Sequence, residues 1–374
     1  MQKAIITDAI HAALTQHGMT QKQLASAIGV SSQAVTNWLK GKDFPRPATL
    51  LKLATTLRLT FDQLVQTSDV DRPIVAFRKK GNAKTTAAYI TKAEGIGMLL
   101  KPLVQYLPEL QALRTLITSP STDYGKLQIA VSQTRALLGI GKQAMLEYEN
   151  LIGEFKNCGA ILVPVLWGTK QRHENALHVR LPQEDVTFIF LNLDTRLEDL
   201  KFWMAHELAH VYTPELAGSN EGEDFADAFA GALLFPKACA ELAYDHAIQQ
   251  TTAEAIIHVL QRYADEHMIS LNTVYQQIKQ FVLATDKQQL SIEEKTVHMA
   301  RNTNHGSLIS EALFDPVPPE PKLYIAKCEH EFQSGFFSAL RRMIHENGTG
   351  PSYIQQVLDT SLADATALYQ ELRF

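Results

Sequence analysis

His206-Glu207-Leu208-Ala209-His210 is the run whose residue types and spacing can carry a reaction. On a helix, two histidines four apart lie on one face about one turn apart, so both imidazoles reach one metal ion. The glutamate after the first histidine then serves as general base toward the water on that metal, the arrangement of zinc-dependent peptide hydrolysis. A catalytic zinc takes three protein ligands and keeps one position for water. Glu223 and Asp227, four apart downstream, are the candidates to complete the site. Glu223 is read as the third ligand, and Asp227 as acceptor of the second ring N–H of a zinc histidine. Glu221 is the reserve ligand. The plainer reading is that these acids only favour the first turn of a helix through its dipole. His173 and His178 lie close enough to approach the cleft, but surface positions are the simpler expectation for both.

The surrounding sequence supplies elements to hold these groups. Residues 186–193, rich in β-branched and aromatic side chains, predict a strand. Thr195 and Glu198 have capping-box spacing, and a helix follows over about 196–212, ended by Thr213-Pro214. Leu197, Leu200, Phe202, Trp203, Met204, Leu208 and Val211 bury one side of it, leaving His206 and His210 near its open side. A second helix runs over 223–235, stopped by Pro236. Residues 159–167 and 176–181 join 186–193 in a three-stranded sheet. The strand at 186–193 is the one that an extended substrate would join as an added edge strand.

The motif HELAH followed by ExxAxxFAxxLLFP resembles the ImmA/IrrE family of zinc metallopeptidases over about residues 131–278. Ala209 stands where that family usually has glycine, and Asp227 where asparagine is common; neither change removes a ligand. The resemblance implies a zincin-like domain, Zn2+ held by His206, His210 and Glu223, Glu207 as catalytic base, and a repressor or other regulatory protein as substrate. The loop between His210 and Glu223 is short for this pattern.

The N-terminus carries a second signal. Residues 20–41 read as helix, Gly29 turn, helix, with Leu24, Ala25, Ile28, Val30, Val35 and Trp38 as a small core. Thr20 and Ser31 are candidate N-caps. Helices over 47–57 and near 61–65 complete a five-helix unit over residues 3–66 that resembles the XRE-type (Cro/repressor-like) helix-turn-helix domains. In such a unit the second helix of the pair enters the major groove. Ser32, Gln33, Thr36 and Asn37 then face base edges, while Lys40, Lys42 and Arg46 suit phosphates. The competing reading is a helical bundle used only for protein contacts. Residues 1–66 hold seven Lys or Arg against three Asp, a net of +4 in a chain of net −5. A basic head on an acidic body suits DNA binding by the head, as an oligomer.

At 374 residues, with 45% hydrophobic and 20% charged residues, the chain has the size for two to four globular domains. No leader and no membrane-spanning stretch is expected. Cys158, Cys239 and Cys328, widely spaced, read as idle thiols in a reducing cytosol. Residues 69–73 read as a hinge, 77–84 as a basic linker, and 315–322 as an extended proline-rich joint. The predicted fold is mainly α with a small β-sheet (α+β): a helix-turn-helix domain over 3–66, a helical connector over 67–122, a peptidase domain over 123–284 and a helical region over 285–374. The aromatic stripe Phe332-Phe336-Phe337 in that tail is a candidate cover over the cleft, a core element or a partner surface. The functional expectation is a cytoplasmic, homo-oligomeric transcriptional regulator that binds a double-stranded operator and carries a zinc endopeptidase, connected with stress or phage regulation. Two alternatives stand beside it: a regulator with a structural or metal-sensing zinc site, and a component of a toxin–antitoxin or phage-defence module.

Overall fold

The computed structural model describes residues 3–40, 42–67, 72–76, 87–108, 116–168, 175–303 and 306–374. His173, the basic run at 77–84 and most of the expected hinge lie outside them. The chain divides into two compact units, Met1–Arg72 and Pro73–Phe374.

In the first unit, helices α1 (Thr7–Gln16), α2 (Gln21–Ile28), α3 (Ser32–Leu39), α4 (Pro47–Leu57) and α5 (Phe61–Leu64) surround one core. Leu24, Ala25, Ile28, Val35 and Trp38 are buried in it, as expected, together with Leu53 and Leu57. Thr20 closes a full capping box with Gln23 at the start of α2, which satisfies two orphan N–H donors. Gly29 ends α2 at φ +75, a conformation that costs glycine nothing. Val30 N–H then returns to Ala25 O at 2.9 Å. A two-stranded ladder of β1 (Lys3–Ile5) and β2 (Val65–Thr67) clasps the ends of the unit. No hydrophobic alternation announced it, because each strand has only three residues.

The second unit is built around a four-stranded sheet of order β3-β5-β6-β4: Ile74–Ala76, Ala176–Leu181, Val186–Asn192 and Ala160–Val165. β4 and β6 are parallel, and the other pairs are antiparallel. Every residue of β4 and β6 is buried, so these strands read as continuous apolar runs. Two expectations are corrected here. β3 is a fourth strand, formed just after the predicted hinge. β6 is paired on both sides and so is not an edge open to substrate.

Helices then follow in order: α6 (Ala87–Leu100), α7 (Tyr124–Leu137), α8 (Tyr148–Asn157), α9 (Leu197–Tyr212), α10 (Asn220–Leu234), α11 (Lys237–Ala247), α12 (Ala253–His267), α13 (Leu271–Thr285), α14 (Glu294–Thr303) and α15 (Ile309–Leu313). The chain closes with α16 (Pro321–Glu331), α17 (Phe336–Asn347), α18 (Pro351–Leu358) and α19 (Leu362–Leu372). The segments read as connector, peptidase domain and tail thus pack into one unit. The tail is core: Phe336 and Phe337 are fully buried. Ser334 Oγ donates to Leu162 O and Tyr324 Oη to Pro164 O on β4. Trp167 Nε1 donates to Leu358 O at 2.8 Å. In the expected joint, residues 315–320 form neither helix nor strand and are mostly exposed, and only Pro321 and Lys322 belong to α16. Ahead of it Ile309 and Ser310 are buried, and their amides bond Thr195 O and Leu193 O at 3.0 and 2.8 Å, docking that stretch on the start of α9. The three cysteines form no disulfide and are buried. No described helix is long and apolar enough to cross a membrane.

Candidate metal centre and nucleic-acid interface

α9 opens at Leu197 with Arg196 as its N-cap, not with the predicted Thr195–Glu198 capping box. Thr195 Oγ1 points to Asn175 Oδ1 instead. The helix is buried almost all round, including His206 and His210 at 1% exposure each. The expected open side is therefore closed, because β5 and β6 cover one flank and α10 another. Fully buried Lys201 anchors its first half, donating to His267 O at 2.9 Å and lying 5.3 Å from the Tyr148 ring centroid. Burial pulls the Lys201 ammonium down to about 8, against the upward pull of Glu147 and Glu149.

α10 begins three residues earlier than its predicted start, with Ser219 as N-cap accepting from Gly222 N at 2.9 Å. The tight return from α9 rests on Gly222. A side chain there would collide with the Leu216 carbonyl, so the glycine lets a short loop bring the start of α10 back beside the histidines. At the other end, buried Arg135 donates to Leu233 O at 2.7 Å and also to Gly141 O and Ala144 O. That satisfies a carbonyl which a helix end leaves without an internal partner.

His206, His210 and Glu223 converge. The two Nε2 atoms lie 3.2 Å apart. Glu223 Oε2 lies 3.5 Å from His206 Nε2, and Oε1 lies 3.3 Å from His210 Nε2. Ligands ~2.0–2.1 Å from a tetrahedral ion stand about 3.3 Å from one another, so the spacing fits zinc. Both Glu223 oxygens are buried without a hydrogen-bond partner among the described residues, a cost that a bound cation removes. His206 Nδ1 lies 3.0 Å from Asp227 Oδ1, so Asp227 stands beside the histidine ring. Glu221 is exposed and outside the cluster.

The charges are coupled. Burial alone depresses the His206 imidazolium, but the Asp227 and Glu223 carboxylates outweigh it and hold the ring up at about 9. Burial alone raises Glu223, but His206 and His210 bring it down to about 2.

Glu207 is buried, and its Oε2 lies 3.3 Å from His178 Nδ1. His178 is not at the surface: it is 1% exposed, with its ring 5.6 Å from that of His210. Burial lowers its pKa, outweighing the upward pull of Glu207. The signal for this residue was present in Ala176-Leu-His-Val-Arg-Leu181. A near-continuous apolar strand is covered on both faces, so a histidine inside it is buried.

In the first unit, Ser32, Gln33 and Lys40 are exposed on α3, and Thr36 and Asn37 are half-buried. Gln33 Nε2 donates to Asn37 Oδ1 at 2.9 Å, and Thr36 Oγ1 to Ser32 O at 3.0 Å. Val35 and Trp38 occupy the opposite, buried face. Lys42 and Arg46 are exposed beyond the helix.

Residues 10–64 match the family model described as helix-turn-helix. This unit is therefore an XRE-type helix-turn-helix DNA-binding domain, and the chain carries the DNA-binding element of a transcriptional regulator. No curated protein matches the chain, and no solved structure matches it.

Proposed function

We propose that this chain is a transcriptional regulator whose second unit is a zinc-dependent endopeptidase acting on a repressor or another regulatory protein. The observation that carries the reading is the convergence of His206, His210 and Glu223 at tetrahedral spacing, with Glu207 and His178 beside them. Bound zinc would polarise the scissile carbonyl and bring a water's pKa toward about 7. Glu207 then takes the proton from the attacking water and delivers it to the leaving amine. His178 Nδ1 lies 3.3 Å from Glu207 Oε2, beside the proposed base. Asp227 accepts from His206 Nδ1, which leaves Nε2 free to ligate. A purely structural or metal-sensing site has no use for a buried base next to its ligands.

In the first unit, Gln33 and Asn37 read base edges, and Lys40, Lys42 and Arg46 contact phosphates. The chain acts as a homo-oligomer in the cytoplasm, where its operator lies. The test pairs elemental analysis of the purified chain with incubation against repressor-like proteins encoded beside its gene. One bound zinc and cleavage lost in Glu207→Gln are expected. Full zinc with cleavage unaffected by Glu207→Gln overturns the catalytic assignment.

A further inference from the structure

β5 brings a backbone edge to the metal centre. It carries His178, whose Nδ1 lies 3.3 Å from Glu207 Oε2 on α9. Its neighbour β6 is paired on both sides, and β4 lies at the far end of the sheet. The outer edge of β5 is therefore where an extended peptide can add a strand beside Glu207 and the metal ligands.

That edge is filled from within the chain. β3 pairs with it antiparallel, Ile74 opposite Arg180, Val75 opposite Val179 and Ala76 opposite His178. Directly opposite residues put their side chains on one face of a sheet. Ile74 and Ala76 thus share the face on which His178 meets Glu207, and Ala76 is buried there. Two glycines make room for the strand. A side chain on Gly97 of α6 would collide with Pro73, and one on Gly218, after α9, would crowd Val75 O at 3.1 Å. The hold is nevertheless slight: the ladder is three residues long, and Ile74 and Val75 are half-buried. β3 is also the first element after the DNA-binding unit, which ends at Arg72. A peptide added outside β3 instead would lie a further strand spacing, about 4.8 Å, from Glu207.

We infer that β3 occupies the substrate edge in cis, and that an extended segment of the protein substrate replaces it on β5 to reach the metal centre. The inference rests on the endopeptidase reading for the cutting, while the exchange of strands is testable without it. Two variants of the full chain move the strand in opposite senses. Ile74→Cys combined with Arg180→Cys ties β3 to β5 when oxidised, since directly opposite Cβ atoms stand about 4.5–5.5 Å apart. The native cysteines are buried and stay out of that reaction. Ala76→Glu has no room on the buried face and lifts the strand. Cutting is read on a pool of extended fluorogenic peptides, and binding on a labelled peptide of residues 72–78 by anisotropy.

Oxidation of the cysteine pair should lower kcat/KM about tenfold, the weight of one or two net hydrogen bonds, and reduction by a phosphine should restore it. Ala76→Glu should raise kcat/KM by a similar factor through KM, because a tethered competitor has left the edge. The 72–78 peptide should bind Ala76→Glu about tenfold tighter than it binds the oxidised pair. If Ala76→Glu fails to fold, the oxidised and reduced pair carry the test alone. Equal cutting by the oxidised and reduced pair overturns the inference and keeps the peptidase. If no form cuts, the peptide decides. Binding that the disulfide blocks keeps the exchange of strands and sinks the peptidase; binding indifferent to the disulfide, or none, overturns both.

Discussion

Single side chains set the chemistry of the proposed metal centre, and each is separable by substitution. If the site holds zinc as proposed, His206→Ala and His210→Ala each remove one of its three ligands, and elemental analysis should find most of the zinc gone. Asp227→Asn keeps the shape but loses the charge that orients His206, and zinc affinity should fall by about 10–100-fold. Glu221→Ala should leave zinc content unchanged, since Glu221 stands outside the cluster. His178→Ala should lower kcat with zinc retained, because the residue touches Glu207 and is not a ligand.

A pH effect belongs to His267. Burial, aided by Arg135 and Lys201, lowers its folded pKa from 6.5 to about 4. The unfolded chain therefore binds a proton first as pH falls. The stability that neutral His267 secures is complete above about 6.5 and is lost progressively down to about 4. Thermal unfolding of His267→Gln should show a smaller fall in Tm across that window than wild type. An equal fall would remove the assignment.

At the scale of elements, two residues hold α10 in place. Gly222→Ala forces Leu216 away from the helix start and so displaces Glu223. Reduced zinc content together with a loss of stability of ~1–3 kcal/mol is expected, the usual cost of overpacking. Arg135→Ala leaves the carbonyls of Leu233, Gly141 and Ala144 without this donor. Denaturant unfolding should register a loss of about 3 kcal/mol.

On α3 the Gln33–Asn37 hydrogen bond couples the two proposed base-reading residues. Each single alanine substitution should relax sequence preference by ~1–3 kcal/mol. The double variant should cost less than the sum, because the partner amide is already disoriented by the first change. Strict additivity in a binding titration would show that the pair does not act together. Lys40→Ala should instead weaken all sequences alike and flatten the salt dependence.

For the whole molecule, the decisive fact is that residues 323–374 belong to the core of the second unit. Phe336, Phe337, Leu340 and Ile354 are buried, and Tyr353 Oη donates to Leu99 O at 2.7 Å on α6. The tail is anchored on β4, the strand at the opposite end of the sheet from β3. Removing it should therefore not relieve a restrained peptidase. It should expose apolar surface on β4 and α6, lower Tm sharply and promote aggregation. A truncated chain that stays folded, with wild-type Tm, would contradict this. The division into two units has its own consequence: salt-sensitive DNA binding should persist in His206→Ala, since the charge of +4 that carries it lies in residues 1–66.

The sequence by itself determined whatever depends on local spacing. Thr20, Gln23 and Gly29 encode the ends of α2, the apolar run at 186–192 encodes β6, and the four-residue step from His206 to His210 puts two imidazoles on one face. These follow from helix and strand periodicity and from caps, which act within a few residues. Only the tertiary structure decided the rest. His178 reaches Glu207 across 29 positions of chain, through pairing of β5 with β6. β3 is too short to show a pattern, and it forms because β5 offers an open edge. α9 shows one apolar stripe in sequence, yet it is buried almost all round, because β5, β6 and α10 pack on it and Lys201, His206 and His210 meet polar groups that no local rule names. The tail looked detachable after its prolines, and it became core because its aromatic residues had an uncovered strand to pack on.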